Sequence, residues 1–274
     1  MNKALSKTII HIVLIIGSCI MILPFLWMLL TSFKTITEST STNPFVFFPS
    51  SLKIENYTAV IKQNNFPQLY FNTFAMMALR VLCAVIFSAM AAYAFARLEF
   101  PGRDFFFGLV LFQMMVPVQV FIVPQYLMID KMNMQNTIFA LVFPGIVSAF
   151  GTFLLRQFFM GLPKELEEAS ILDGCNIGQT FAKVMLPLAK SGLVALAIFT
   201  ALFAFKDLMW PMIVNPDPDA ATLSSALAKI QGTAAVNYPQ LMADAVLAIW
   251  PMLLVYIIFQ RQFIEGIATS GSKL

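Results

Sequence analysis

Leu162-Pro-Lys-Glu-Leu-Glu-Glu-Ala-Ser-Ile-Leu-Asp-Gly-Cys-Asn-Ile-Gly-Gln-Thr-Phe-Ala-Lys-Val-Met-Leu-Pro187 is a polar island between two apolar runs, and its pattern predicts helix, turn, helix. Pro163 suits a first helical position, where its missing N–H is no loss. Glu165, Glu167 and Glu168 place anions at the positive end of the helix dipole. Leu162, Leu166 and Ala169 fall on one face at helical spacing. Gly174 is a natural C-terminal stop. Asn176, with Gln179 three residues on, reads as a capping box opening the second helix. A short helix held at a membrane surface, with small residues on one side, is what insertion into a partner's cleft requires.

Outward from this loop the chain is apolar. Six stretches approach the roughly 20 residues that a spanning helix needs, at about 9–31, 72–96, 105–129, 137–155, 186–205 and 243–260. The expected fold is an all-α membrane protein, with six transmembrane helices and a cytoplasmic loop at 162–187, forming one transmembrane domain over 1–274. Composition agrees: only 11% of the 274 residues are charged and mean hydropathy is +0.80, whereas a soluble domain carries roughly a quarter charged residues. The net charge of +3 is too small and dispersed to argue for nucleic acid. Cys19, Cys83 and Cys175 show no CxxC pattern and suggest no metal or redox chemistry; the two in apolar runs read as packing residues. Lys3 and Lys7 precede an apolar run, as in a signal peptide, but Thr8–Phe33 carries no charge. It far exceeds the ~7–15 residues of a signal h-region and reads as a retained span.

Orientation follows from Lys and Arg. With the N-terminus inside, Arg97, Arg103, Arg156 and Arg261 all lie inside, joined by Lys3, Lys7, Lys164, Lys183, Lys190 and Lys273. The outer side holds six lysines, spread over longer loops. Both termini are therefore expected in the cytoplasm. The outer segment 54–60 could hold a short surface helix, and 223–230 is amphipathic enough to lie at the membrane surface or dip back into the helices.

The loop also resembles a known pattern. Glu168-Ala169-Ser170, then Asp173-Gly174, nine residues, then Val184-Met-Leu186-Pro187 is similar to the EAA–G–(nine residues)–I-x-L-P signature of ABC importer permeases, with Ser170 where Ala is usual. The resemblance implies that Glu168, Ala169, Ser170, Asp173, Gly174, Leu186 and Pro187 form the docking segment for an ATPase. It implies a second permease subunit, a cytoplasmic ATPase dimer and an extracytoplasmic sugar-binding protein, in a prokaryotic cell membrane. ATP and Mg would be bound by the ATPase, with no cofactor in this chain. Further segments resemble the smaller permease subunit of maltose-type carbohydrate systems: Ala92-Tyr-Ala-Phe-Ala-Arg97, Phe100-Pro-Gly-Arg103, Met115-Val-Pro117, Pro124-Gln-Tyr126, Asn136-Thr137, Phe153 to Phe159, Phe259-Gln-Arg-Gln-Phe263, and Gly266 to Lys273. It departs at Phe205-Lys206-Asp207, where Trp-Asn is commoner, and at Ser191, where Pro is usual. The expected function is import of a di- or oligosaccharide by ATP-driven alternating access. The alternatives are another solute (glycerol phosphate, a peptide, an amino acid) or, farther off, a secondary transporter or membrane-anchored interaction protein needing no ATPase.

Several residues carry two readings. Arg80 lies about nine residues into a span, which is a functional signal by default; a late helix start, snorkelling or a backbone carbonyl partner would equally explain it. Ser88, Ala92 and Ala96 form a stripe of small residues suited either to a partner permease or to packing within this subunit. Pro117, Pro124, Pro144 and Pro211 are candidate kinks. Gln113, Gln119, Gln125 and Tyr126 could line a sugar path by matching hydroxyls, or could bond between helices. His11 reads as an interface anchor rather than a proton relay. Gly266 to Lys273 looks like a phosphate loop but has Gly-Ser-Lys instead of Gly-Lys-Ser/Thr and follows no strand. This chain is therefore not expected to bind ATP.

Overall fold

The computed structural model describes residues 3–231 and 237–271; the final residues of the resembling tail, Ser272 and Lys273, lie outside them. The chain is helical, with no strand among the described residues beyond an isolated Thr42–Phe45 bridge. Three helices are long and apolar enough to cross a membrane, and three bent pairs raise the number to six if each pair is one span.

The spans differ from expectation mostly in being longer or broken. The first helix, Lys3–Ser32, passes through Pro24 without stopping, and the second, Phe66–Arg97, starts well before residue 72. Pro is tolerated in lipid-embedded helices where neighbouring groups or small local adjustments re-satisfy the carbonyl it frees. The third span, expected as one helix over 105–129, is instead Arg103–Met115 followed by 118–131, bent by 101°. Pro117 is the cause: it pushes Val116 out of the helical region, to φ −85° and ψ 126°. The fourth bends by 49° between 138–145 and 149–160, where Pro144 sits in a 3₁₀ turn. The fifth bends by 77° at Ala189, so the long helix is Lys190–Lys206 rather than 186–205. The last helix runs Tyr238–Gly271, past both expected ends. Pro124 and Pro211 do not kink anything; each sits in the first turn of a short helix, where no N–H is needed.

Where the sequence suggests one domain, the chain gathers into two compact units. One comprises Met1–Phe66 and Ala226–Leu254. In it, Lys34 is buried, with its ammonium 3.8 Å above the Trp27 ring and donating to the Val46 carbonyl at 2.7 Å. Burial lowers the Lys34 pKa from its ordinary value. Phe45 stacks on Trp27 at 5.2 Å, so the segment after the first helix folds back onto its end. Thr35 and Glu38 form a capping box that starts the short helix Ile36–Thr40. The expected surface helix is present at Glu55–Gln63, tied by Asn56 to the carbonyls of Ser32 and Lys34.

The other unit comprises Pro67–Ser225 and Val255–Leu274. Its apolar core joins Ala89, Ala92, Tyr93, Leu155, Phe159, Met185, Ala189 and Leu196, so the second span packs on the fourth, the loop and the fifth. Ser88 and Ala92 are fully buried in this contact, with Ala96 packed against it. The small-residue stripe therefore serves packing within the chain. A Cβ on Gly151 would lie 2.6 Å from the Ser88 hydroxyl, which explains why both are small.

Candidate docking loop and outer cleft

The loop helix is Glu165–Leu172, with Lys164 as its N-cap, so Pro163 falls outside it rather than at its first position. Its end is a Schellman motif: Gly174 has φ +84°, its N–H bonds the Ile171 carbonyl, and the Cys175 N–H bonds the Ser170 carbonyl. Only a residue without a Cβ takes that left-handed turn at no cost. Two residues later Asn176 and Gln179 close the expected capping box, at 2.9 and 3.0 Å. The chain then widens into a π-helical turn at Phe181–Met185, just ahead of Pro187, whose missing N–H leaves the Lys183 carbonyl without its usual acceptor role.

The inward side of the loop helix is polar. Glu167 and Ser170, three residues apart, face the protein; the Ser170 hydroxyl bonds Thr180 Oγ1 at 2.9 Å, tying the two limbs of the loop together. Ser170 is thus placed inside the loop and not on its outer surface. The outward side is apolar: Leu172 is 88% exposed, with Ile171 and Ile177 exposed beside it. Glu168, Ala169, Asp173 and Gly174 are exposed as well, giving an apolar tip with an acidic rim. Leu186 is half-buried against the core, and Pro187 is exposed. The expected shared face of Leu162, Leu166 and Ala169 does not form, because Leu162 precedes the helix and packs on the core while the other two are exposed.

Beneath the loop lies a node that sequence reading did not assign. The Tyr93 hydroxyl donates to Glu167 at 2.6 Å. Its ring packs against Phe159 and Phe181, at 5.8 and 5.1 Å. One turn on, Arg97 Nη2 bonds the carbonyls of Phe159 and Leu162, each at 2.5 Å, capping the end of the fourth span. Arg97 Nε lies 3.8 Å from Glu167, buried and without a hydrogen-bond partner. The available signal was the i, i+4 spacing of Tyr93 and Arg97 on one helix face.

The helix does not start late, since it begins at Phe66, and Arg80 does not snorkel. It is buried, pairs with Asp207 at 2.8 Å, and donates twice to the Leu141 carbonyl. Of the plainer explanations only the backbone carbonyl holds, and the carboxylate partner adds to it. Pro144 lacks the N–H that the Ala140 carbonyl would accept; Trp210 Nε1 bonds that carbonyl instead, at 2.8 Å. Arg80 and Trp210 together satisfy the carbonyls freed where the fourth span breaks.

At the end of this unit away from the loop is a cleft of about 280 Å³, lined by Gln68, Phe71, Asn72, Asn136, Thr137, Ile138 and the 215–220 turn. Asn72 braces it by donating to the carbonyls of Asp219 and Ala221, both at 2.9 Å. None of the four expected path residues lines it. Gln113 and Gln119 are exposed on either side of the Pro117 break, and Gln125 and Tyr126 are half-buried, with Tyr126 accepting from Gln135 at 3.1 Å.

A family model described as binding-protein-dependent transport system inner membrane component matches residues 84–268. The arabinooligosaccharides transport system permease protein AraQ of Halalkalibacterium halodurans is 35% identical, covering 93% of this chain and 92% of its own. The diacetylchitobiose uptake system permease protein NgcG of Streptomyces coelicolor is 33% identical, covering 96% and 87%. The sn-glycerol-3-phosphate transport system permease protein UgpE of Brucella suis is 30% identical, covering 97% of both. Among solved structures, a bacterial ABC transporter involved in the import of the acidic polysaccharide alginate superposes with a TM-score of 0.81, covering 95% of this chain and 98% of its own at 22% identity. That likeness concerns the fold.

Proposed function

The chain belongs to the binding-protein-dependent transport system inner membrane components, and from that membership we propose that it is one permease subunit of an ATP-driven importer of oligosaccharides. The observation that carries the mechanism is the inverted loop helix, polar toward its own chain and apolar outward. An exposed tip of Ile171, Leu172 and Ile177 is costly in water and is stabilised when a partner covers it. Its rim of Glu165, Glu168 and Asp173 calls for a basic cleft. A cytoplasmic ATPase dimer docks there, hydrolyses ATP with its own Mg, and drives alternating access. A second permease completes the pathway and a binding protein delivers solute to the far side. The charge asymmetry supports a cytoplasmic position for the loop and both termini.

The sugar reading draws on the arabinooligosaccharide and diacetylchitobiose permeases. Glycerol phosphate is the second reading, because the UgpE relatives match over nearly the whole chain. An anion on the path needs a cation, and the embedded Arg80 is already neutralised by Asp207. This favours a neutral solute. Co-expression with the neighbouring ATPase tests the docking: the ATPase should co-purify with the native chain and be lost with Leu172→Asp. Calorimetry of the cognate binding protein against arabinotriose, chitobiose and glycerol 3-phosphate tests the solute, and binding of glycerol 3-phosphate alone would reject the sugar.

A further inference from the structure

The docking loop is covalently continuous with the fourth and fifth spans, so a push on it reaches those two through the chain. The second span has no such connection. It meets the loop through Tyr93 and Arg97, 74 and 70 residues from Glu167 in sequence. These two are stationed differently. Tyr93 holds Glu167 by a short hydrogen bond, whereas Arg97 Nε faces the same carboxylate across 3.8 Å, beyond hydrogen-bond distance. That Nε is buried, in a side chain only 4% exposed, and no other group among the described residues satisfies it. A buried donor without an acceptor is destabilising, and the carboxylate that would satisfy it lies beyond hydrogen-bond distance at 3.8 Å. A shift of the loop helix toward the second span would close that gap and satisfy the donor.

Resting on the docking reading above, we propose that Glu167 and Arg97 form a latch that closes when the docked ATPase drives the loop helix inward, carrying the second span with it. Tyr93 is the guide of that stroke: it keeps the Glu167 carboxylate aimed at Arg97 while its ring slides against Phe159 and Phe181. Arg97, anchored on the Phe159 and Leu162 carbonyls, is the fixed jaw. Glu167 is a positioning residue, distinct from the exposed Glu168 beside it, which faces the partner.

The test uses the complete transporter with its ATPase, after Cys19, Cys83 and Cys175 are replaced by alanine. Nitroxides are placed at the exposed positions Met90 and Phe203, on the second and fifth spans. Electron–electron resonance reads the distance between them before and after addition of a non-hydrolysable ATP analogue. Glu167→Gln keeps an acceptor for Tyr93 but removes the charge, and Tyr93→Phe removes only the hydroxyl. Both should retain the ATPase on purification and show the analogue-induced distance change cut by at least half. A full-sized change in both variants overturns the latch. So does loss of the ATPase from both, because the node would then serve docking instead of transmission. If the unmutated loop retains no ATPase, the docking reading falls and the latch falls with it.

Discussion

The indole of Trp210 stands in for an N–H that Pro144 does not have, donating to the Ala140 carbonyl at 2.8 Å. Both groups are buried, so removal of the donor leaves a carbonyl with no water to turn to. Trp210→Phe keeps the ring packing and loses only that bond. It should destabilise by about 1–3 kcal/mol, read as a lowered thermal midpoint of the detergent-solubilised complex. An unchanged midpoint would show that the freed carbonyl finds another donor.

Gly145 lies on the same break, and the reason for its small size is Arg80. A Cβ there would sit 2.9 Å from both Cδ and Cγ of that side chain. Gly145→Ala must displace the guanidinium from Asp207, from Leu141, or from both. Overpacking of this kind costs about 1–3 kcal/mol. Arg80→Ala in the same chain removes Cγ and Cδ and should relieve the clash, so the two substitutions together should cost less than their sum. Strict additivity of the midpoints would sink the argument.

The Asp207 carboxylate faces Arg80 from 127 residues away. Asp207→Ala leaves a buried cation with only the Leu141 carbonyl. Such a loss costs about 3–5 kcal/mol for a fully buried pair, and less here because Asp207 is 23% exposed. Asp207→Asn retains an acceptor and should cost under half as much. The exchange Arg80→Asp with Asp207→Arg should not restore stability, since the Leu141 carbonyl loses its donors. Full recovery in the exchanged protein would mean that the carbonyl contact is unimportant.

The sequence made these elements visible to different degrees, for physical reasons. Gly174 and the Asn176–Gln179 box were legible because caps are local: donor and acceptor lie within four residues. Pro117 was legible as a candidate kink, since a residue before Pro is pushed toward extended geometry, but that local rule does not give the 101° size of the bend. Arg80 stood out as a charge in a span, yet its partner lies in a different span, beyond any local pattern. The inward turn of Ser170 and the Tyr93–Glu167 bond were hidden for the same reason. Helical spacing shows which residues share a face, and only packing decides which face is inside. The path residues Gln113, Gln119, Gln125 and Tyr126 were chosen on chemistry alone, and none of them lines the cleft at Gln68, Asn72 and Asn136.

Glu38 supplies a pH dependence outside the membrane. The Ser50 hydroxyl, with the Thr35 and Ser50 backbone N–H groups, holds its carboxyl down from an ordinary value of 4.5 to about 2. A depressed carboxylate contributes stability that is complete above the unfolded value and lost as pH falls through the folded one. The segment 35–50 should therefore loosen between about pH 5 and pH 2, seen as faster proteolysis at its ends by an acid protease. Ser50→Ala should move that loosening to higher pH. A pH profile identical with and without the Ser50 hydroxyl would discount its hold on Glu38.

The loop tip makes the sharpest separation between folding and docking. Gly174 is at φ +84° with open space where a Cβ would go, so Gly174→Ala costs only the left-handed strain, about 1–2 kcal/mol. Asn at the same position should cost less, because it tolerates that region. Gly174→Pro cannot adopt a positive φ at all and must unwind the Schellman turn. Ala169→Trp changes no internal contact, since Ala169 is exposed, but fills the space a partner's cleft would occupy. Membrane insertion should be normal in all four variants. ATPase co-purification should fall in the order Asn, Ala, Pro at position 174, and should be lost with Ala169→Trp. A tryptophan variant that still retained the ATPase and still transported would move the docking surface off this helix.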